Sequence, residues 1–273
     1  MSRRGTAAVA GLGACAWAAF AALTLIVVTR HGTPLAPDRA LLAWSLGHRP
    51  PVAVAAARGL TDTGTGAVPY ALVITAGLIA GRTARQRRAA TLLSLLCLVL
   101  GQAVRYGVMD LIGRARPPYR DWEVLASGWS YPSGHTTTSA LTAGLLITAL
   151  WSRSPRGRGP LMLLAACWGA GVGLTRIFLG VHWFTDVLGG WLFAAGWLAL
   201  LLTAAARWLP AGLRPGAPGS GSGRRSSSTS PDAHRVARRP DGPGTPRNPG
   251  AGPGGRRTAP GRWTRPASGR AAR

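Results

Sequence analysis

Lysine is absent from this 273-residue chain: its 32 basic residues are all arginine, set against only 8 acidic ones. Arginine throughout, with abundant alanine, glycine and proline, matches the codon bias of a GC-rich genome. That bias gives a neutral origin to any place where a lysine would be expected. So few carboxylates leave no Asp/Glu cluster able to hold a pair of Mg²⁺ ions. Cysteine is almost as scarce, and Cys15, Cys97 and Cys167 all lie inside apolar runs. There they read as small buried hydrophobes, which excludes a disulfide framework or a cysteine metal cluster. Large apolar side chains are nearly missing from residues 208–273, so that stretch cannot build a core.

What is present is unevenly mixed. The chain is 47% hydrophobic with 11 Trp, yet carries a net charge of +24. Apolar runs of membrane-spanning length alternate with short arginine clusters, the pattern of a polytopic membrane protein. The pI near 12 would suit a nucleic-acid binder. However, 13 Arg and 2 Asp place +11 of the charge in residues 208–273, and much of the rest flanks the apolar runs. The charge therefore reads as an orientation signal plus a basic tail, and no specific nucleic-acid partner is expected.

Six transmembrane helices are expected in an all-α membrane bundle over residues 1–209. The first runs from about Gly5 to Val28. The sequence Leu12-Gly13-Ala14-Cys15 faintly resembles a lipoprotein cleavage box, but the apolar run continues well past Cys15, so an uncleaved helix is expected. Residues 30–65 are polar and proline-containing. Within them Asp38 to His48 reads as an interfacial helix with Asp38 at its start and Trp44 at headgroup level, or as a helix packed on the bundle. Spans follow at about Ala67–Gly81, Ala89–Ile112, Thr136–Trp151, Pro160–Leu179 and Asp186–Leu209. Pro117 and Pro118 forbid the third of these six from continuing. Tyr119, Trp122, Trp129 and Tyr131, in the loop after it, read as an interfacial belt. From residue 210 the chain is a Gly/Pro/Ser/Arg-rich disordered tail, expected to associate with anionic lipid headgroups.

Three short clusters carry chemistry: Gly113-Arg114-Ala115-Arg116-Pro117, Tyr131-Pro132-Ser133-Gly134-His135, and Thr175-Arg176 with His182 and Asp186. Arginine forks hold phosphate oxygens, and a Ser-Gly turn lets amides and a hydroxyl approach closely. One histidine can attack phosphorus while an aspartate orients its ring, and the other can protonate the leaving oxygen. Arg176 lies inside a span, where an unpaired cation faces a polar cavity by preference. Together the clusters resemble the type 2 phosphatidic acid phosphatase family, membrane lipid phosphatases related to vanadium haloperoxidases, over roughly residues 35–205. The family pattern is Lys-x6-Arg-Pro, Pro-Ser-Gly-His and Ser-Arg-x5-His-x3-Asp. This chain departs from it at Thr175, where the family has Ser, and at Met109, where it has Lys.

The resemblance implies a phosphatase that needs no metal or other cofactor and acts on a lipid phosphate or diphosphate, such as phosphatidic acid, phosphatidylglycerol phosphate or a polyprenyl diphosphate. It implies His182 as nucleophile, Asp186 as its orienting partner and His135 as acid and base. Arg116, Ser133, Gly134 and Arg176 would hold the phosphate. Arg105, four residues before Met109, is the candidate to replace the absent lysine, with Arg114 and Arg120 as second choices. Alternate connections divide by charge, with arginines on one side and Asp38, Asp62, Asp121, Glu123 and Asp186 on the other. The positive-inside rule then places both termini in the cytoplasm and the clusters outside. Two other readings are a haloperoxidase, which the apolar spans disfavour, and a catalytically weakened lipid-phosphate binder or transporter, which Met109 favours.

Overall fold

The computed structural model describes residues 3–153, 157–208 and 210. The tail expected beyond residue 210 lies outside the described residues. Among the described residues there is no strand, and eight α-helices follow one another. They are α1 (Arg3–Thr29), α2 (Ala36–Gly47), α3 (Pro51–Asp62), α4 (Ala67–Ala80), α5 (Ala84–Ile112), α6 (Gly134–Arg153), α7 (Arg158–Phe178) and α8 (Phe184–Trp208). All the described residues fall in one compact unit.

Local signals set several ends. Thr83 opens α5 through a capping box, its hydroxyl accepting from the Gln86 N–H at 3.2 Å while Gln86 Oε1 accepts from the Thr83 N–H at 3.3 Å. Gly113, at φ 60°, closes the same helix by returning its N–H to the Met109 carbonyl at 3.0 Å. Pro117 follows and keeps the helix from resuming.

Four helices, α1, α5, α7 and α8, are long and apolar enough to cross a membrane. The pair α3 and α4, bent by 52° at a short break, would make a fifth. The chain is thus an all-α, multi-pass membrane bundle. The expected count of six is not reached by length and composition, and the reason lies in α6. Its 20 residues begin Gly134-His135-Thr136-Thr137-Thr138, a polar turn that lowers its hydropathy and lies at the site described below. The polar segment expected over 30–65 is also more ordered than its composition suggests, since it folds into α2 and α3. The second expected span thus has a helical forerunner, joined to it through Thr63–Gly66.

Packing is tight because small residues let the helices approach. α6 packs on α4, α7 and α8, and α1 packs on α8. A Cβ at Gly196 of α8 would stand 2.8 Å from Trp17 Nε1 of α1, so only glycine fits there. Phe20, Tyr131 and Phe193 form one buried cluster, and Val73, Leu98, Leu141 and Ala194 another. Tyr131 is therefore not part of an interfacial belt. It is fully buried, and its hydroxyl lies 2.8 Å from Thr24 Oγ1. Of the cysteines only Cys97 is buried; Cys15 and Cys167 are on outward faces. Trp44 is exposed on α2, as an interfacial helix requires, but Asp38 of the same helix is fully buried. Asp38 stands in the first turn of α2, where its Oδ2 accepts from the Leu35 N–H at 3.0 Å, and its burial beside Arg114 fits the reading of a helix packed on the bundle.

Candidate active site

Helix ends from distant parts of the chain meet at one end of the bundle. The C-terminal ends of α5 and α7, the loop after α5, the N-terminal end of α6, the α7–α8 turn and the α3–α4 break surround a cavity of about 440 Å³. One wall is cationic and polar, with Arg105, Arg116, Gly134, His135, Arg176 and His182. The rest of the lining is largely apolar and includes Tyr70, Leu98, Tyr106, Leu125 and Trp129.

His182 is held by the tight turn between α7 and α8. The N–H groups of Val181 and His182 both return to the Arg176 carbonyl at 3.2 Å. Gly180 sits at φ 74°, a conformation that glycine adopts without a Cβ clash. Arg116 then reaches across from the loop after α5. Its Nε donates to the Gly128 carbonyl at 3.0 Å, and its Nη2 to the carbonyls of Ser127 and Trp129 at 2.8 and 3.1 Å. Its Nη1 donates to the Val181 carbonyl and to His182 Nε2, both at 2.9 Å. A guanidinium can only donate, so His182 Nε2 carries the lone pair and Nδ1 carries the proton. Nδ1 faces Asp186 Oδ2 at 3.4 Å and Ser130 Oγ at 3.3 Å, while the Ser130 hydroxyl donates to the same Asp186 oxygen. The Trp183 N–H also donates to Asp186 Oδ2, at 2.8 Å, which caps α8.

Burial pushes the His182 imidazole down to about 4, with the Asp186 hydrogen bond pulling upward and Arg116 adding to the fall. The ring is therefore a free base near neutrality. Burial also lowers Arg116, against the pull of Asp186 and with the push of Arg105. Among the described residues no carboxylate forms a salt bridge with Arg105, Arg116 or Arg176. Arg176 donates through Nη1 to Thr61 Oγ1 at 2.9 Å, whereas its buried Nε has no partner. A concave wall of cations without carboxylate partners among the described residues, one of them with an orphaned donor, suits a polyanionic group such as phosphate. Also among the described residues, no group of three or more His, Cys, Asp or Glu side chains could hold a metal ion.

The cavity brings together His182, His135, Arg116, Arg176, Gly134 and Arg105. Asp186 lies behind His182, where an orienting partner belongs. Ser133 is not among the residues that line the cavity. It is fully buried, with its hydroxyl accepting from Thr136 Oγ1 at 2.9 Å and its N–H donating to the Asp186 carbonyl at 3.0 Å. Thr175 likewise turns its hydroxyl back to the Val172 carbonyl of its own helix, at 2.6 Å. Of the second choices for the absent lysine, Arg120 is exposed and Arg114 is committed to Asp38 and Asp186. The sequence reading missed Asp38, Thr61, Thr65, Ser130 and Thr185. Thr65 Oγ1 lies 3.4 Å from His135 Nε2, at the α3–α4 break. The one available signal for Asp38 was the scarcity of carboxylates, which makes each of them informative.

Residues 90–209 match the model of the PAP2 superfamily. This segment belongs to the PAP2 superfamily. The protein resembles phosphatidylglycerophosphatase B of Bacillus subtilis, with 29% identity over 147 residues, 53% of this chain and 70% of that one. Phosphatidylglycerophosphatase B of Escherichia coli is 36% identical over 83 residues, 30% of either chain. Undecaprenyl-diphosphatase of Sulfolobus acidocaldarius is 33% identical over 111 residues, 39% of this chain and 48% of that one. The match thus spans less than half the length of these last two relatives. A crystal structure of a transmembrane PAP2 type phosphatidylglycerolphosphate phosphatase from Bacillus subtilis shares the fold, with a TM-score of 0.62 and 21% identity over 72% of this chain and 97% of that one. All three clusters fall inside the PAP2 segment. Asp38, Thr61 and Thr65 lie before it, although the motif resemblance was expected to begin near residue 35.

Proposed function

We propose that this protein is a membrane lipid phosphatase that cleaves a phosphomonoester or diphosphate through a phosphohistidine on His182. The observation that carries this reading is the setting of His182. Its lone-pair nitrogen meets Arg116 at the cavity, and its protonated nitrogen is backed by Asp186 and Ser130. All five N–H donors of Arg116 are engaged in the free site. An arriving phosphate oxygen exchanges with His182 for the Nη1 donor, so binding itself releases the Nε2 lone pair. Nε2 then attacks phosphorus, the Nε2–P bond forms, and the bond to the leaving oxygen breaks as His135 donates its proton. In the second step His135 takes a proton from water, whose oxygen displaces His182 and releases orthophosphate. Arg105, Arg116, Arg176 and the α6 N-terminal end at Gly134 hold the equatorial oxygens.

The apolar wall of Tyr70, Leu98, Tyr106 and Trp129 supports a lipid rather than a soluble ester. The test is phosphate release from a panel containing phosphatidic acid, phosphatidylglycerol phosphate and a polyprenyl diphosphate, with and without a chelator. Release from at least one of them, unchanged by the chelator, is expected. Strict dependence on Mg²⁺ would contradict the proposed reaction. A weakened binder or transporter is favoured by one observation: Met109 lines the cavity where the family pattern has a lysine. Binding without release from any of the panel would support that reading.

The site is proposed to face the outside of the cell, with both termini cytoplasmic and six crossings, α6 included. The arginines flanking α5 and α7 support this orientation. A reporter active only outside the cytoplasm is expected to work when fused after residue 125 and to fail after residue 86 or residue 157. The reverse pattern would put the site on the cytoplasmic face. The basic tail is proposed to lie against anionic headgroups of the inner leaflet.

A further inference from the structure

Behind the cavity, Arg114 stands between two carboxylates, and none of the three side chains reaches solvent. Its Nη2 donates to Asp38 Oδ2 at 2.8 Å, its Nη1 to Asp186 Oδ1 at 2.6 Å and its Nε to the Gly32 carbonyl at 3.2 Å. Thr185 completes the cluster. Its hydroxyl accepts from Arg114 Nη1 at 2.7 Å, and its N–H donates to Asp38 Oδ1 at 2.8 Å. Asp38 is on α2, outside the PAP2 segment, and has no contact with the cavity.

Charge decides what such a cluster does. A cation facing Asp186 alone would cancel the carboxylate that His182 relies on. With Asp38 on its other side, the cluster keeps a net charge of one negative unit. When phosphorus bonds to Nε2 and Nδ1 keeps its proton, the His182 ring becomes cationic. A buried net anion beside it then stabilises that state, and a neutral pair would not.

We propose that Asp38 is a positioning residue for the phosphoryl-transfer step: it shares Arg114 with Asp186, so that Asp186 remains a net anion facing His182. This rests on the proposed phosphohistidine chemistry. Arg114 in turn ties the α1–α2 turn and α2 to the start of α8, which holds the Asp186 carboxylate in register with the ring.

Asp38→Asn removes the charge while keeping an acceptor for Thr185. It is expected to lower kcat at least about tenfold, with KM for the lipid and inhibition by inorganic phosphate changed by less than about threefold. Asp38→Asn/Arg114→Gln, which removes the cation as well, is expected to have a higher kcat than Asp38→Asn alone. A purely structural role gives the opposite order, because the double variant disturbs more contacts. An unchanged kcat in Asp38→Asn, or a double variant no better than the single, overturns the proposal. If Asp38→Asn does not accumulate as folded protein, the double variant is compared with Asp186→Asn. Its kcat is expected well above that of Asp186→Asn, and equality of the two overturns the proposal. His182→Ala in the same assay separates the two levels. An active His182→Ala removes the underlying chemistry, whereas an inactive one beside a fully active Asp38→Asn removes only the role of Asp38.

Discussion

His182→Ala is expected to abolish phosphate release, lowering kcat by at least about 10⁴-fold, because no neighbouring group can replace the nucleophile. The cavity offers only His135 as another imidazole, and its ring is across the site beside Thr65 rather than backed by a carboxylate. His135→Ala is expected to lose less, about 10²–10⁴-fold, and to lose least with substrates whose leaving group needs no proton. Stopped reactions of His135→Ala with labelled substrate are expected to hold label on His182, since the water step is slowed as well. The pH profile gives a separate check. His182 attacks as the free base, and burial holds its pKa at about 4. Lowering the pH protonates the ring only as that value is approached, so the acid limb of kcat/KM is expected near pH 4. Full activity in His182→Ala would end the phosphohistidine proposal.

The second large effect is expected at Arg105. The family pattern has a lysine at position 109, and here a thioether lies against the cavity instead. Arg105 is one helical turn away and almost fully buried, at 3% exposure. Its Nε donates to Gln102 Oε1 at 2.8 Å, its Nη1 lies 3.3 Å from Met109 Sδ, and its Cζ sits 3.6 Å from the centre of the Tyr106 ring. A Cβ built on Gly134 would stand 3.4 Å from that Cζ, so the guanidinium abuts the start of α6. No salt bridge holds it there among the described residues, which leaves its charge available to the proposed phosphate substrate. Loss of one charged donor to a transition-state oxygen costs about 2.7–4 kcal/mol, or about 10²–10³ in rate. Arg105→Ala is therefore expected to lower turnover at least about tenfold, allowing for Arg116 and Arg176 as remaining cations. In a Met109→Lys background the same change is expected to be much milder, because the ammonium then fills the place. A double-mutant cycle without coupling between positions 105 and 109 would remove the substitution hypothesis. A gain of orders of magnitude from Met109→Lys alone would favour the weakened-enzyme reading.

Solvent preference and local geometry made part of this protein readable from its amino acids. Apolar runs bounded by arginines mark helices whatever they pack against, because the bilayer satisfies their side chains and each helix satisfies its own backbone. His182 and Asp186 are four residues apart, a spacing short enough for the α7–α8 turn to bring them together without help from the rest of the fold. Arg176 inside a span announced a polar cavity, because a lone cation is costly there. The number of crossings was less readable, since α6 spends its first turn on polar residues and α3–α4 is bent. Only the tertiary structure decided which charges pair. Arg114 and Arg116 are two residues apart in one loop, yet one is locked between Asp38 and Asp186 while the other holds His182. Nothing in their spacing separates those roles. Asp38 meets Thr185 across 147 residues of chain, and Ser130 meets Asp186 across 56. Such contacts depend on how α1, α2 and α8 pack, and a buried ion pair forms only where packing brings both partners out of water together. The same packing left Ser133 out of the cavity lining and put Arg105 in it, although the motif pattern named Ser133 and only helical spacing to Met109 named Arg105.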